Sequence, residues 1–203
     1  MIKKIFSYAL RFAVAPMKTA SAISADRSGV WAALWWILIF LGAYTVTAFI
    51  YFLLGHLPVA KAFMTVSKEK WYLVQTFTTI PVGLAGFIAE AGLAYFICKA
   101  IGGKGSFEAT FSIIAYAVII PCVVFMLLLE LLVAPFFMAF GYTTVPWPQW
   151  VETLRVFVLP FAWIFFIATI SLSKIHKITW PAALGISVLS MVPTGIIMAV
   201  FIR

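Results

Sequence analysis

Acidic side chains are almost missing from this chain: Asp and Glu number six among 203 residues, and charged residues of both signs make up 10%. A water-soluble surface needs far more charge than that, which excludes a soluble globular domain. Histidine and cysteine occur only twice each. Neither His56 nor His176 has a cysteine, histidine or carboxylate at ligand spacing, so no metal site is supported. Cys98 and Cys122 fall within apolar segments and are expected to be buried, inert thiols that do not pair. There is no Gly-x-Ser-x-Gly and no serine, histidine and carboxylate set to meet, so hydrolase chemistry has no visible machinery.

What fills the chain is apolar. Hydrophobic residues make up 65% and the mean hydropathy is +1.14. Five long stretches, about residues 30–54, 72–98, 109–140, 154–172 and 180–202, are each near or beyond the ~20 residues that cross a ~30 Å hydrocarbon core. In lipid an unpartnered backbone amide costs several kcal/mol, so each span is a helix or part of a closed barrel. The runs show no period-two alternation, which selects helices. The expected fold class is an all-α integral membrane protein, with an amphipathic interfacial segment over residues 1–29 and five transmembrane helices over residues 30–203.

Near the start, Lys3 and Lys4 with Ala13-Val14-Ala15 imitate a secretory signal, but Arg11 interrupts the apolar core such a signal requires. A surface helix fits better. Lys4, Tyr8, Arg11 and Lys18 recur at helical spacing among Ile2, Ile5, Phe6, Ala9, Phe12 and Ala13, a pattern suited to the headgroup layer, where Lys3, Lys4, Arg11 and Lys18 would meet anionic lipid. Pro16 should end or kink the helix. Ser24-Ala25-Asp26-Arg27-Ser28 offers capping side chains ahead of a first span beginning near Gly29, and Trp31, Trp35 and Trp36 supply interfacial indoles.

With the N-terminus inside, nine lysines and arginines fall on the inner side (Lys3, Lys4, Arg11, Lys18, Arg27, Lys99, Lys104, Lys174, Lys177) and five outside (Lys61, Lys68, Lys70, Arg155, Arg203). That bias favours a cytoplasmic N-terminus and an external C-terminus. The formal charge of +8 is explained by topology, and nucleic-acid binding is not expected. The outer loop from Gly55 to Lys70 should hold a small helix. The third stretch is too long for one straight span, so it should kink at Pro121, end near Pro135 and continue as an interfacial aromatic segment through Tyr142, Pro146, Trp147, Pro148 and Trp150.

Gly102-Gly103-Lys104-Gly105-Ser106 imitates a phosphate-binding loop, but the spacing is wrong and a membrane helix rather than a strand precedes it. No nucleotide and no other cofactor is expected. The plain reading is a tight turn, with Ser106 capping the third span and Glu108 facing its dipole.

Acid in lipid is the chemically unusual feature, at Glu90 and Glu130. Glu90 lies nine residues before Lys99, about 13 Å along a helix and close to the midplane. Gly83, Gly86 and Ala94 share its face and let another helix approach, so Glu90 should point into the bundle, as a structural carboxyl or as a proton or cation relay. Glu130 sits at the outer interface if the span ends near Val133, and deeper if it continues.

Residues 102–121, GGKGSFEATFSIIAYAVIIP, resemble the signature of the Yip domain family, the Ypt/Rab-interacting membrane proteins and their prokaryotic relatives. The resemblance rests on Gly102, Gly103, Lys104, Gly105, Ser106, Phe107, Tyr116, Ala117 and Pro121, with weaker likeness at Pro16, Thr19 and Ile23 and at Leu172, His176 and Ala182-Ala183. It implies five spans, a cytoplasmic N-terminus and no catalytic residues. Eukaryotic members are linked to Rab GTPases through a longer N-terminal domain, and this chain looks like the short prokaryotic-type form, in the inner membrane.

The expected role is a non-enzymatic scaffold or accessory subunit, its partners membrane lipids and another membrane protein or a second copy, bound through small-residue faces and the basic inner surface. One alternative is a small transporter or channel using Glu90, with spans three and five broken at Pro121 and Pro193. Another is a lipid-handling or membrane-shaping protein.

Overall fold

The computed structural model describes residues 2–58, 66–142 and 148–201, and among these the regular structure is helical, with no strand. Helix α1 spans Ile2–Val14 and α2 Pro16–Ala25. Pro16 stops the first and opens the second, because it lacks the amide that α1 would need and the first position of a helix does not. Then follow α3 (Gly29–Leu53), a 3-10 turn (Lys68–Lys70), α4 (Trp71–Ala100), α5 (Phe107–Pro121), a π turn (Cys122–Leu127) and α6 (Leu128–Ala139). Helix α7 (Gln149–Thr153), a second π turn (Leu154–Val158), α8 (Leu159–His176) and α9 (Trp180–Phe201) complete the order. Among the described residues five segments are long and apolar enough to cross a membrane: Gly29–Leu53, Lys68–Ala100, Phe107–Phe125, Leu159–His176 and Trp180–Ile197.

Helix α5 is the axis of the bundle. Every residue from Ala109 to Cys122 is buried, enclosed by α3, α4, α8 and the N-terminal helices, while α9 lies against α4 and α8. Lipid offers no hydrophobic drive between helices, so close fit holds them. Gly83 shows how close: a Cβ there would stand 2.6 Å from Leu41 Cδ2 on α3.

Prolines shape the third and fourth spans. Pro121 is the last residue of α5, and without its amide the ladder widens into the π turn that follows. The second π turn, just ahead of Pro160, packs against the first, and Phe125 meets Trp163 edge to face at 6.4 Å nearby. Pro135, however, does not end the helix, since α6 continues to Ala139. Pro193 likewise leaves α9 unbroken from Trp180 to Phe201. In lipid, losing one hydrogen bond costs less than opening a whole turn. Tyr142, Pro148 and Trp150 are exposed; Pro146, Trp147, Lys61 and Arg203 lie outside the described residues.

The N-terminal hairpin is docked on protein. Ile5, Tyr8, Ala9 and Phe12 of α1 are buried against α3 and α5, and α2 packs on α8. Tyr8, grouped with the lysines by spacing alone, turns inward because its ring finds Tyr116 at 6.3 Å and its hydroxyl finds Asp26. Ile2, Phe6, Leu10 and Val14 form the exposed stripe.

Candidate functional site

The α4–α5 and α8–α9 connections meet at one end of the bundle, and the glycine-rich turn is what joins them. Helix α4 closes through Gly102, whose φ of +88° is a left-handed conformation open to glycine. The Gly103 amide then donates to Cys98 O at 2.7 Å, and the Lys104 amide donates to His176 O at 2.9 Å, tying the turn to the last residue of α8. Ser106 caps α5 as expected, its hydroxyl accepting from the Ala109 amide at 3.2 Å.

His176 fills the space inside this turn and is fully buried. A Cβ on Gly103 would lie 2.6 Å from Cys98 O and 2.9 Å from His176 Nδ1; one on Gly105 would lie 2.8 Å from both Cε1 and Nε2 of the same ring. These two glycines are therefore the floor on which the imidazole lies. Thr110 donates its hydroxyl hydrogen to Ser106 O at 2.8 Å and stands 2.8 Å from His176 Nε2. That geometry assigns the ring proton to Nε2, which donates to Thr110 Oγ1. Nδ1 is left as a buried lone pair without a partner among the described residues. Phe107 meets Tyr95 edge to face at 5.9 Å on the flank of the turn.

Lys104 and Lys99 are exposed at this end, together with Lys174 in the last turn of α8 and Lys177 just after it. Lys177 adopts φ +56°, a left-handed conformation that costs a non-glycine residue about 1 kcal/mol. Lys3, Arg11 and Lys18 are also exposed. Lys4 is half-buried and engaged, forming an ion pair with Asp26 and donating to Ser28 Oγ. Asp26 also accepts from Tyr8 Oη at 2.6 Å, the Ser28 amide at 3.0 Å and Ser28 Oγ at 2.9 Å. Asp26 thus closes the turn ahead of α3 by accepting from the Ser28 amide, while Ser28, at the cap position, accepts from no α3 amide, so the side-chain cap expected there is not formed. Spacing alone does not join Lys4 to Asp26; the signal the sequence offers is that Asp26 is the one acid in residues 1–68.

Glu90 occupies a separate place, in the middle of α4 facing α9. It is fully buried, on the same buried face as Gly83, Gly86 and Ala94. Thr194 of α9 stands beside it, but that hydroxyl donates to Gly86 O at 2.9 Å, and neither carboxyl oxygen of Glu90 has a hydrogen-bond partner among the described residues. Glu130 lies on α6, and its side chain is outside the described set. Among the described residues no group of three or more His, Cys, Asp or Glu could hold a metal ion.

No curated protein and no solved structure shows a significant match to the chain. The family model described as the Yip1 domain matches residues 10–202, from within α1 to beyond the last described residue of α9. With nearly its whole length matched, the chain belongs to the Yip1 domain family.

Proposed function

We propose that this multi-pass membrane protein is a non-enzymatic scaffold or accessory subunit that binds another membrane protein or a second copy of itself. The observation that supports this is α6. Counted from Phe107, about twenty helical residues at 1.5 Å each use up a ~30 Å core, which brings α6 to the far surface. There it packs chiefly against the π turn beneath it, yet it exposes Leu128, Leu131, Leu132 and Phe136. An apolar face of this kind, beyond the length that crosses the core, offers a docking surface to another membrane protein or a second copy. The face of α4 that carries Gly83 and Gly86 is already spent on α3 and α9, so it is not the docking surface. The charge bias supports an orientation with the glycine turn and the N-terminal hairpin in the cytoplasm and α6 outside.

Gentle extraction of the tagged protein from its own membranes should yield a stoichiometric partner or a homo-oligomer by native mass. Leu132 and Phe136 are exposed at 72% and 59%, so L132E/F136E should fold yet weaken that association by at least about tenfold. A lone wild-type particle carrying only lipid overturns the reading.

A second reading is a small transporter or channel, favoured by the unpartnered carboxyl of Glu90. In that case Glu90→Gln abolishes pH-dependent flux in liposomes, and unchanged flux removes Glu90 from any such role.

A further inference from the structure

Between α2 and the α8–α9 connection lies a cavity of about 520 Å³ that no part of the scaffold reading uses. Its shallow rim carries Ser21 and Ser24 from α2 and Lys174 and Lys177 from the end of α8. Met17 from α2 and Ile170, Ser173 and Ile175 from α8 complete the lining, and Ile170 lies one helical turn further into the span than Lys174. Trp180 stands at the side, at the depth where indoles mark the boundary between headgroups and acyl chains.

We propose that this cavity binds an anionic phospholipid, with the phosphate held by Lys174, Lys177 and the Ser24 hydroxyl and the upper acyl chain laid along Ile170 and Met17. Three observations converge. Two ammonium groups line the rim and no carboxylate does. The Asp26 carboxylate, which could have neutralised this end, is taken by Lys4, Tyr8 and Ser28. Along α8 the lining passes from Lys177 and Lys174 at the helix end to Ile170 a turn further into the span, which suits a molecule with a charged head and a hydrocarbon tail. Lys177 adds a fourth point: its left-handed backbone is one that glycine would occupy without strain, so a lysine here keeps its charge at a conformational cost. Because α2 forms one wall and α8 and α9 the other, the bound lipid would pin the N-terminal hairpin to the last two spans.

The test is native mass spectrometry of the full-length detergent-purified protein with added phosphatidylglycerol or phosphatidylcholine. Wild type should retain phosphatidylglycerol about tenfold better, and K174Q/K177Q should bring the two lipids level. Lys177→Gly separates binding from folding, because it relieves the backbone while removing a charge: retention should fall with the melting temperature unchanged or raised. Equal retention of the two lipids by wild type overturns the proposal, as does unchanged selectivity in both variants. Displacement of phosphatidylglycerol by millimolar inorganic phosphate would instead mark a site for the free ion, and would overturn it as well.

Discussion

Gly103→Ala should cost the fold at least about 3 kcal/mol, more than an ordinary overpacked core position, and should lower the melting temperature in detergent by roughly 6–12 °C. The reason is which atoms the new methyl would meet. Cys98 O, 2.6 Å away, is backbone at the closed end of α4 and accepts from the Gly103 amide itself, and His176 Nδ1 lies at 2.9 Å. Neither can withdraw without undoing the turn. Two comparisons isolate that cause. Gly102→Ala meets nothing within 4 Å and suffers only its positive φ, so it should cost about 1 kcal/mol. The three atoms nearest a Cβ on Gly105 all belong to the His176 ring, so its substitution should be partly rescued in G105A/H176A, giving a coupling of about 1 kcal/mol or more in the double-mutant cycle. If Gly103→Ala and Gly102→Ala melt alike, the close-packed turn is not what holds α4 to α8.

That turn also shows how far the sequence could be read. Gly102 to Gly105 stood out as a tight turn, and the Ser106 cap, the first span's start at Gly29 and the inward face of Glu90 follow from local rules of capping and small-residue spacing. What the glycines contact was not legible, because His176 is more than seventy positions away in sequence and its neighbours carry no ligand spacing to flag it. Prolines misled for the opposite reason. In water Pro135 and Pro193 would end a helix, whereas a helix in lipid has no better alternative and runs on. The amphipathic pattern of α1 was real but ambiguous: a face that could lie in headgroups fits equally well against α3 and α5, and only tertiary packing decides between them.

The Asp26 latch is the most exposed consequence of that decision. Asp26→Ala should release the N-terminal hairpin from the bundle while leaving the five spans folded. The substitution removes an acceptor shared by the Lys4 ammonium, the Tyr8 hydroxyl and the Ser28 amide and hydroxyl. Bonds to a charged acceptor are worth about 1.5–3 kcal/mol each when buried, and at a half-exposed site screening reduces the sum to about 2 kcal/mol. Opening would then be roughly thirtyfold more frequent, read as faster tryptic cleavage at Arg11 and Lys18. The pH dependence has a definite sign. The Lys4 ammonium and then the Tyr8 hydroxyl hold the Asp26 carboxyl well below the usual carboxylate range, so its stabilisation is complete above the unfolded value of about 4 and is lost only as pH falls below that. Tyr8, pushed up to about 12 by burial and by its bond to Asp26, remains a donor throughout. Protection of Arg11 and Lys18 should therefore be flat from pH 5 to pH 9 in wild type. Asp26→Asn, which keeps an acceptor and loses the charge, should fall between wild type and Asp26→Ala. If Asp26→Ala is cleaved no faster than wild type, burial of Ile5 and Phe12 alone suffices to hold the hairpin. If it is cleaved faster, the charge at Asp26 holds α2 in place as the wall of the cavity it shares with Lys174 and Lys177.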